Sequence, residues 1–123
     1  MKSHFVAVLR VFAATILLAA CATPQIPGNY EGTLQVGRDL ERRVRVKLEP
    51  NGRAAVSTAR WGSFSYLAEG AWKRANNSMI IVDLTSPNPQ RIVFQHSGDL
   101  LIAKEWDRSV WGGRGPGVLQ LVR

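Results

Sequence analysis

From residue 28 to the C-terminus, apolar residues recur at every second position in short runs punctuated by Gly, Pro, Asn and Ser. No window sustains the i, i+3, i+4, i+7 spacing of an amphipathic helix. The pattern predicts an all-β domain. Residues 29–36 place Tyr30, Gly32, Leu34 and Val36 on one face, ahead of a turn at Gly37-Arg38-Asp39. Residues 42–49 alternate most cleanly, with Val44, Val46 and Leu48 assigned to the interior and Arg43, Arg45, Lys47 and Glu49 to water. Pro50-Asn51-Gly52 closes a hairpin into residues 53–60, because Asn-Gly tolerates the positive φ of a tight turn. Residues 66–73 follow, and Asn76-Asn77 turns the chain into 78–84, where Ile80, Val82 and Leu84 share a face. After a Pro-containing loop at 85–90, residues 91–96 pair across Ser97-Gly98-Asp99 with 100–105, and a Gly-rich stretch leads to 118–123. With about eight strands and no helix to cover a face, closure into a small up-and-down meander barrel buries a core and hides the sheet edges. A two-sheet sandwich is the alternative.

The first twenty residues have a different character. Met1-Lys2-Ser3-His4 is a basic start, residues 5–9 and 11–20 are rich in apolar side chains, and the stretch ends in small residues, as in an export signal. The uninterrupted apolar run is shorter than the roughly 20 residues a membrane-spanning helix needs. Leu18-Ala19-Ala20-Cys21 resembles the lipobox of bacterial lipoproteins. That resemblance implies a diacylglyceryl group on the Cys21 thiol, cleavage before Cys21, and a membrane anchor made of several acyl chains. Ala22, a non-acidic residue after the cysteine, implies sorting to the outer membrane of a Gram-negative cell, facing the periplasm. Residues 22–27, with Pro24 and Pro27 and no periodicity, are read as a tether.

Cleavage leaves 103 of the 123 residues and, with Lys2 and Arg10 gone, lowers the formal charge from +7 to +5. A chain of that size forms one modest core. The basic excess suits anionic headgroups or an acidic partner, while nucleic acid is not expected for an exported, anchored protein. Cys21 is the single cysteine, so disulfide frameworks, multi-cysteine metal sites and CxxC redox chemistry are excluded.

Gly28-Asn29-Tyr30-Glu31-Gly32-Thr33-Leu34, directly after a lipoprotein tether, resembles the opening strand of the N-terminal domain of NlpE-type lipoproteins, which are implicated in copper resistance and envelope stress sensing. Val46-Lys47-Leu48 with Asn51-Gly52, then Glu69-Gly70-Ala71-Trp72, Met79-Ile80-Ile81-Val82 and Leu100-Leu101-Ile102 continue the resemblance in order. It implies a small lipocalin-like barrel in the cell envelope. Where that family carries CxxC, this chain reads Gln35-Val36-Gly37-Arg38-Asp39-Leu40, so the associated metal and redox roles do not carry over.

No catalytic set is legible, and no cofactor or metal is expected. His96 stands alone at a strand end, and the pairs Asp39/Glu41 and Glu105/Asp107 lack a third ligand or a nucleophile beside them. Ser57, Ser63, Ser65 and Ser97 have no Gly-x-Ser-x-Gly setting. Two features suggest binding. Arg42, Arg43, Arg45 and Lys47 form a basic stripe suited to an anionic surface, against the commoner reading of a solvated strand face. Residues 106–117 hold Trp106, Arg108, Trp111 and Arg114 in a long Gly-rich loop, where Trp and Arg can anchor an envelope-protein partner or one Trp can plug the barrel end. The leading expectation is a non-catalytic lipid-anchored interaction or sensing module. The alternative is a lipocalin-like carrier of a small apolar or amphipathic ligand, lined by Tyr30, Trp72, Ile80, Val82, Phe94 and Leu101.

Overall fold

The computed structural model describes residues 25–37, 40–60, 63–76 and 78–123. The export signal, Cys21, residues 22–24 of the tether, Arg38 and Asp39 of the first turn, and Asn77 lie outside the described residues. Eight antiparallel strands close in sequence order into an up-and-down barrel, so the sandwich alternative is not adopted. The strands are β1 (Gly28–Gly37), β2 (Leu40–Leu48), β3 (Arg53–Arg60), β4 (Ser63–Arg74), β5 (Met79–Ser86), β6 (Gln90–Ser97), β7 (Leu100–Glu105) and β8 (Val118–Val122).

The inward faces follow the period-two pattern. Val44, Val46 and Leu48 of β2, Ile80, Val82 and Leu84 of β5, and Ile92 and Phe94 of β6 are all buried. They belong to one continuous apolar cluster with Tyr30, Leu101, Leu119 and Trp111. The outward face of β1–β2 is held by Glu31, which stands opposite Arg45 in register and accepts from its Nε at 2.6 Å. Asp83 and Arg91 repeat the arrangement across β5–β6. Such solvent-accessible cross-strand pairs contribute little stability but favour one register.

Gly70 shows why β4 carries a glycine in its interior. A Cβ there would stand 2.0 Å from the Asp83 carbonyl oxygen, at the point where the β4–β5 register shifts. Trp72, two positions on, is tied to the β2–β3 turn: its N–H donates to Gly52 O at 2.9 Å and its indole Nε1 donates to Glu49 O at 2.7 Å.

Two expectations are corrected. The segment before Gly28 is not wholly a tether, because Ile26 is buried in the core cluster and its carbonyl accepts the Tyr30 hydroxyl at 2.5 Å. An apolar side chain flanked by two prolines reads as linker until the barrel end offers it a pocket. The loop after β7 also contains one helical turn, α1 (Arg108–Trp111), too short to produce helical periodicity. Burial, with Asp99 second, pushes the Tyr30 phenol above its ordinary pKa, so it stays a neutral donor. Tyr30→Phe leaves the Ile26 carbonyl without that donor, and denaturant unfolding is expected to show a loss of about 1–3 kcal/mol.

The up-and-down order gives the barrel two distinct ends. Ile26, the turns at 49–52, 75–78 and 98–99, and the C-terminal Arg123 lie at one, called the near end. The connections 86–90 and 105–118 lie at the other, the far end.

Candidate functional site

At the far end the barrel wall is incomplete, because β8 has 5 residues against 10 in β1. It pairs with β1 only over Asn29–Glu31 and with β7 only over Leu100–Ile102. The upper parts of β1 and β7 therefore need another cover, and residues 106–117 supply it. Ala103 N–H donates to Gly117 O at 3.0 Å, and Gly117, at φ +84°, sits so close to Leu34 that a Cβ would meet its Cδ2 at 2.6 Å.

Both indoles of this loop are used internally. Trp111, 5% exposed, joins the core cluster. Its Nε1 donates to Gln90 Oε1 at 2.9 Å, and Gln90 Nε2 donates to the Tyr66 hydroxyl at 2.8 Å. The chain of three ties the loop to the start of β6 and to β4. Trp106 is half-buried and donates Nε1 to Gly112 O at 2.8 Å, which closes the loop on itself. Gly115, at φ +67°, lies against the Trp106 ring, where a Cβ would approach to 2.5 Å. Asp107 caps α1 by accepting from Ser109 N at 2.9 Å and Ser109 Oγ at 2.6 Å. Those bonds hold its carboxyl below the usual carboxylate range, so its place is structural rather than as half of a carboxylate pair.

The expected Trp anchors are thus corrected: Trp111 plugs the barrel and Trp106 braces the loop, leaving neither ring free as an exposed knob. What faces outward is Arg108, Val110 and Arg114, all exposed, with Arg114 also engaged in an interaction within the protein. Gln90 and Tyr66 were missed as members of this site. The available signal was parity: Gln90 occupies the inward row of Ile92 and Phe94, where an amide needs a polar partner.

The basic stripe on β2 is partly engaged within the barrel. Arg42 shares the inward parity of Val44 and Val46 and is half-buried. Arg45 is paired with Glu31, and Lys47 lies 3.6 Å from Glu49. Arg43 alone of the four stands fully outward without a described acidic partner.

Tyr30, Trp72, Ile80, Val82, Phe94 and Leu101, the residues of the carrier reading, all belong to or pack against the core cluster. Tyr30 and Trp72 additionally donate to backbone carbonyls at the near end. Among the described residues, no three of His, Cys, Asp and Glu gather as metal ligands. Ser57 is half-buried and Ser97 exposed on their strands.

His96 occupies the near end of the inward row of β6. Its Nε2 is covered and has no hydrogen-bond partner. Burial, then the positive Arg74, lowers its pKa from 6.5, and Asp99 opposes them. The folded ring holds its proton less readily than the unfolded chain, so stability declines as pH falls through 6.5 and the decline is complete below the lowered value. The melting temperature is expected to drop between neutral pH and about pH 5, and His96→Gln should flatten that part of the profile.

The site belongs to a small closed antiparallel barrel with a plugged far end. Comparison with protein-family models, curated proteins and solved structures finds no match to this chain.

Proposed function

We propose that the chain is a non-catalytic, lipid-anchored lipoprotein of the bacterial envelope. In this reading, acyl chains on Cys21 hold it at the outer membrane facing the periplasm, and it serves as an interaction or sensing module. The observation that carries the reading is a spacing: the lipobox ends at Cys21, and only five positions later Ile26 is already packed into the barrel. A folded domain directly after the modified residue is what an anchored module needs. The likeness of residues 28–34 and 69–72 to NlpE-type lipoproteins supports the same address, while the missing CxxC keeps copper and redox roles out of the proposal.

The partner surface is the rigid far-end loop, through Arg108, Val110 and Arg114. Its internal bracing by Trp106, Trp111 and Asp107 favours recognition, since a pre-ordered loop loses little entropy on binding. The carrier alternative is compatible with the same closed barrel.

The test has two readouts from one strain. Intact-mass analysis of the membrane-extracted protein is expected to show an acylated N-terminal Cys21, and Cys21→Ser should leave the protein unprocessed and without acyl mass. A photo-crosslinking residue at Val110 should capture a defined envelope protein that the same residue at Leu67, exposed on the barrel wall, does not. An unmodified Cys21 removes the anchor, and equal capture from both positions removes the far-end site.

A further inference from the structure

The near end gathers basic side chains from β2, β3, β4 and the C-terminus. Around it lie Lys47, Arg53, Lys73, Arg74 and Arg123, with Glu49 and Asp99 as the acidic residues. Glu49 lies beside Lys47 at 3.6 Å, and Asp99 takes both bonds from Arg123, at 3.0 and 3.1 Å. Arg53, Lys73 and Arg74 remain, each exposed and without an ion pair among the described residues.

Register brings them together. Arg53 pairs with Ala71 across β3–β4, and Lys73 lies two positions further on the same outward face. Arg74 follows at the strand end, close enough to His96 to depress its protonation. The acidic cross-strand partners that neutralise Arg45 and Arg91 are missing here: Arg53 faces Ala71, Lys73 faces Ile81 and Arg74 faces Ile80.

We infer that this basic end rests on anionic phospholipid headgroups, so that the barrel stands on the membrane with its far end pointing away. The inference rests on the proposed acylation of Cys21, which limits the geometry. Ile26 is docked at the near end, and the five-residue span back to Cys21 reaches at most about 18 Å when fully extended. The tether thus keeps the near end within about two Debye lengths of about 8–10 Å of the bilayer, and any slack in the span brings the three cations within one. Basic residues so placed strengthen attachment roughly fivefold each, an electrostatic contribution screened by salt. Arg42, Arg43 and Arg45 run along the wall instead, and Arg45 is paired with Glu31.

The test uses the full chain purified from membranes and reconstituted into vesicles of phosphatidylcholine alone or with phosphatidylglycerol. Single cysteines for a fluorescent label replace Ser97 at the near end or Val110 at the far end, both exposed. In phosphatidylglycerol vesicles the Ser97→Cys label should be shielded from an aqueous quencher several-fold more than in neutral vesicles, while the Val110→Cys label stays open in both. Combining Arg53→Gln, Lys73→Gln and Arg74→Gln, or raising the salt, should remove the shielding.

Equal quenching of the near-end label in both vesicle types, on protein whose acyl mass is confirmed, overturns this inference and leaves the anchor standing. Absence of acyl mass overturns the anchor and with it the tethered orientation. Co-sedimentation of that same unacylated full chain with phosphatidylglycerol vesicles then decides the surface by itself: salt-sensitive binding lost in the triple variant supports the basic end, and no binding rejects it.

Discussion

Gly70→Ala is expected to lower the melting temperature of the barrel by roughly 10–20 °C, equivalent to about 3 kcal/mol for a domain of this size. The added methyl carbon would stand 2.0 Å from Asp83 O, 2.7 Å from Leu84 Cα and 2.9 Å from Asp83 C. Every one of those atoms is backbone, so no side chain can turn aside. Relief requires strand β5 to move away from β4 where the ladder already shifts register between Glu69 and Gly70. In a closed barrel that displacement is passed to both neighbours, whereas an open sheet could absorb it at an edge. Gly113→Ala is the matched control, since a Cβ there meets nothing within 4 Å, and its effect should stay within about 0.5 kcal/mol. Thermal unfolding of the two variants followed by circular dichroism checks the contrast, and similar midpoints would mean that β4 and β5 are not packed this closely.

Trp111→Ala is the second large effect, expected at about 3–5 kcal/mol. The indole is 5% exposed and closes the far end of the core, so its removal opens a void that the loop must collapse to fill. It also leaves Gln90 without the donor it accepts from at 2.9 Å, and Gln90 is the link to Tyr66. Trp111→Phe retains most of the apolar area and loses the hydrogen bond, so an intermediate loss is expected. Trp106→Ala should cost less, because that ring is only half-buried, and its consequence should be local: release of the bond to Gly112 O and a loosened turn at Gly115. Denaturant titration ranks the three. A Trp106→Ala loss equal to that of Trp111→Ala would contradict the division into plug and brace. Under the proposed function, Trp111→Ala should also abolish capture from Val110, since the loop loses its fixed shape along with its plug.

Strand identity was legible because a barrel wall separates its two faces residue by residue. Arg53–Arg60 and Leu100–Glu105 are the segments the alternation predicts, and most other strands differ by a residue or two at each end. The longest shift is at the start of β4, at Ser63 where the pattern begins at residue 66. The far-end site was legible only as a composition. Two Trp and two Arg in a Gly-rich loop signal a structured segment, but whether an indole points into the barrel depends on whether the wall leaves room for it. That room exists because β8 is short, and no property of residues 106–117 encodes the length of β8.

The pairing within the basic stripe was hidden for a related reason. Arg42 could have been removed from it by parity, since it alternates with Val44 and Val46, but the loss of Arg45 to Glu31 depends on the β1–β2 register. Ile26 shows the same limit from the other side, an apolar residue in a Pro-containing linker whose burial depends on Tyr30 and the open near end.

By itself the sequence determined the all-β class and which positions of each strand face inward, because these rest on spacing along the chain. The inward plug of Trp111, the required absence of a side chain at Gly70 and the gathering of Arg53, Lys73 and Arg74 at one end were decided only by tertiary structure. Each depends on the separation in space of residues far apart in the chain, and pairing register alone sets that separation.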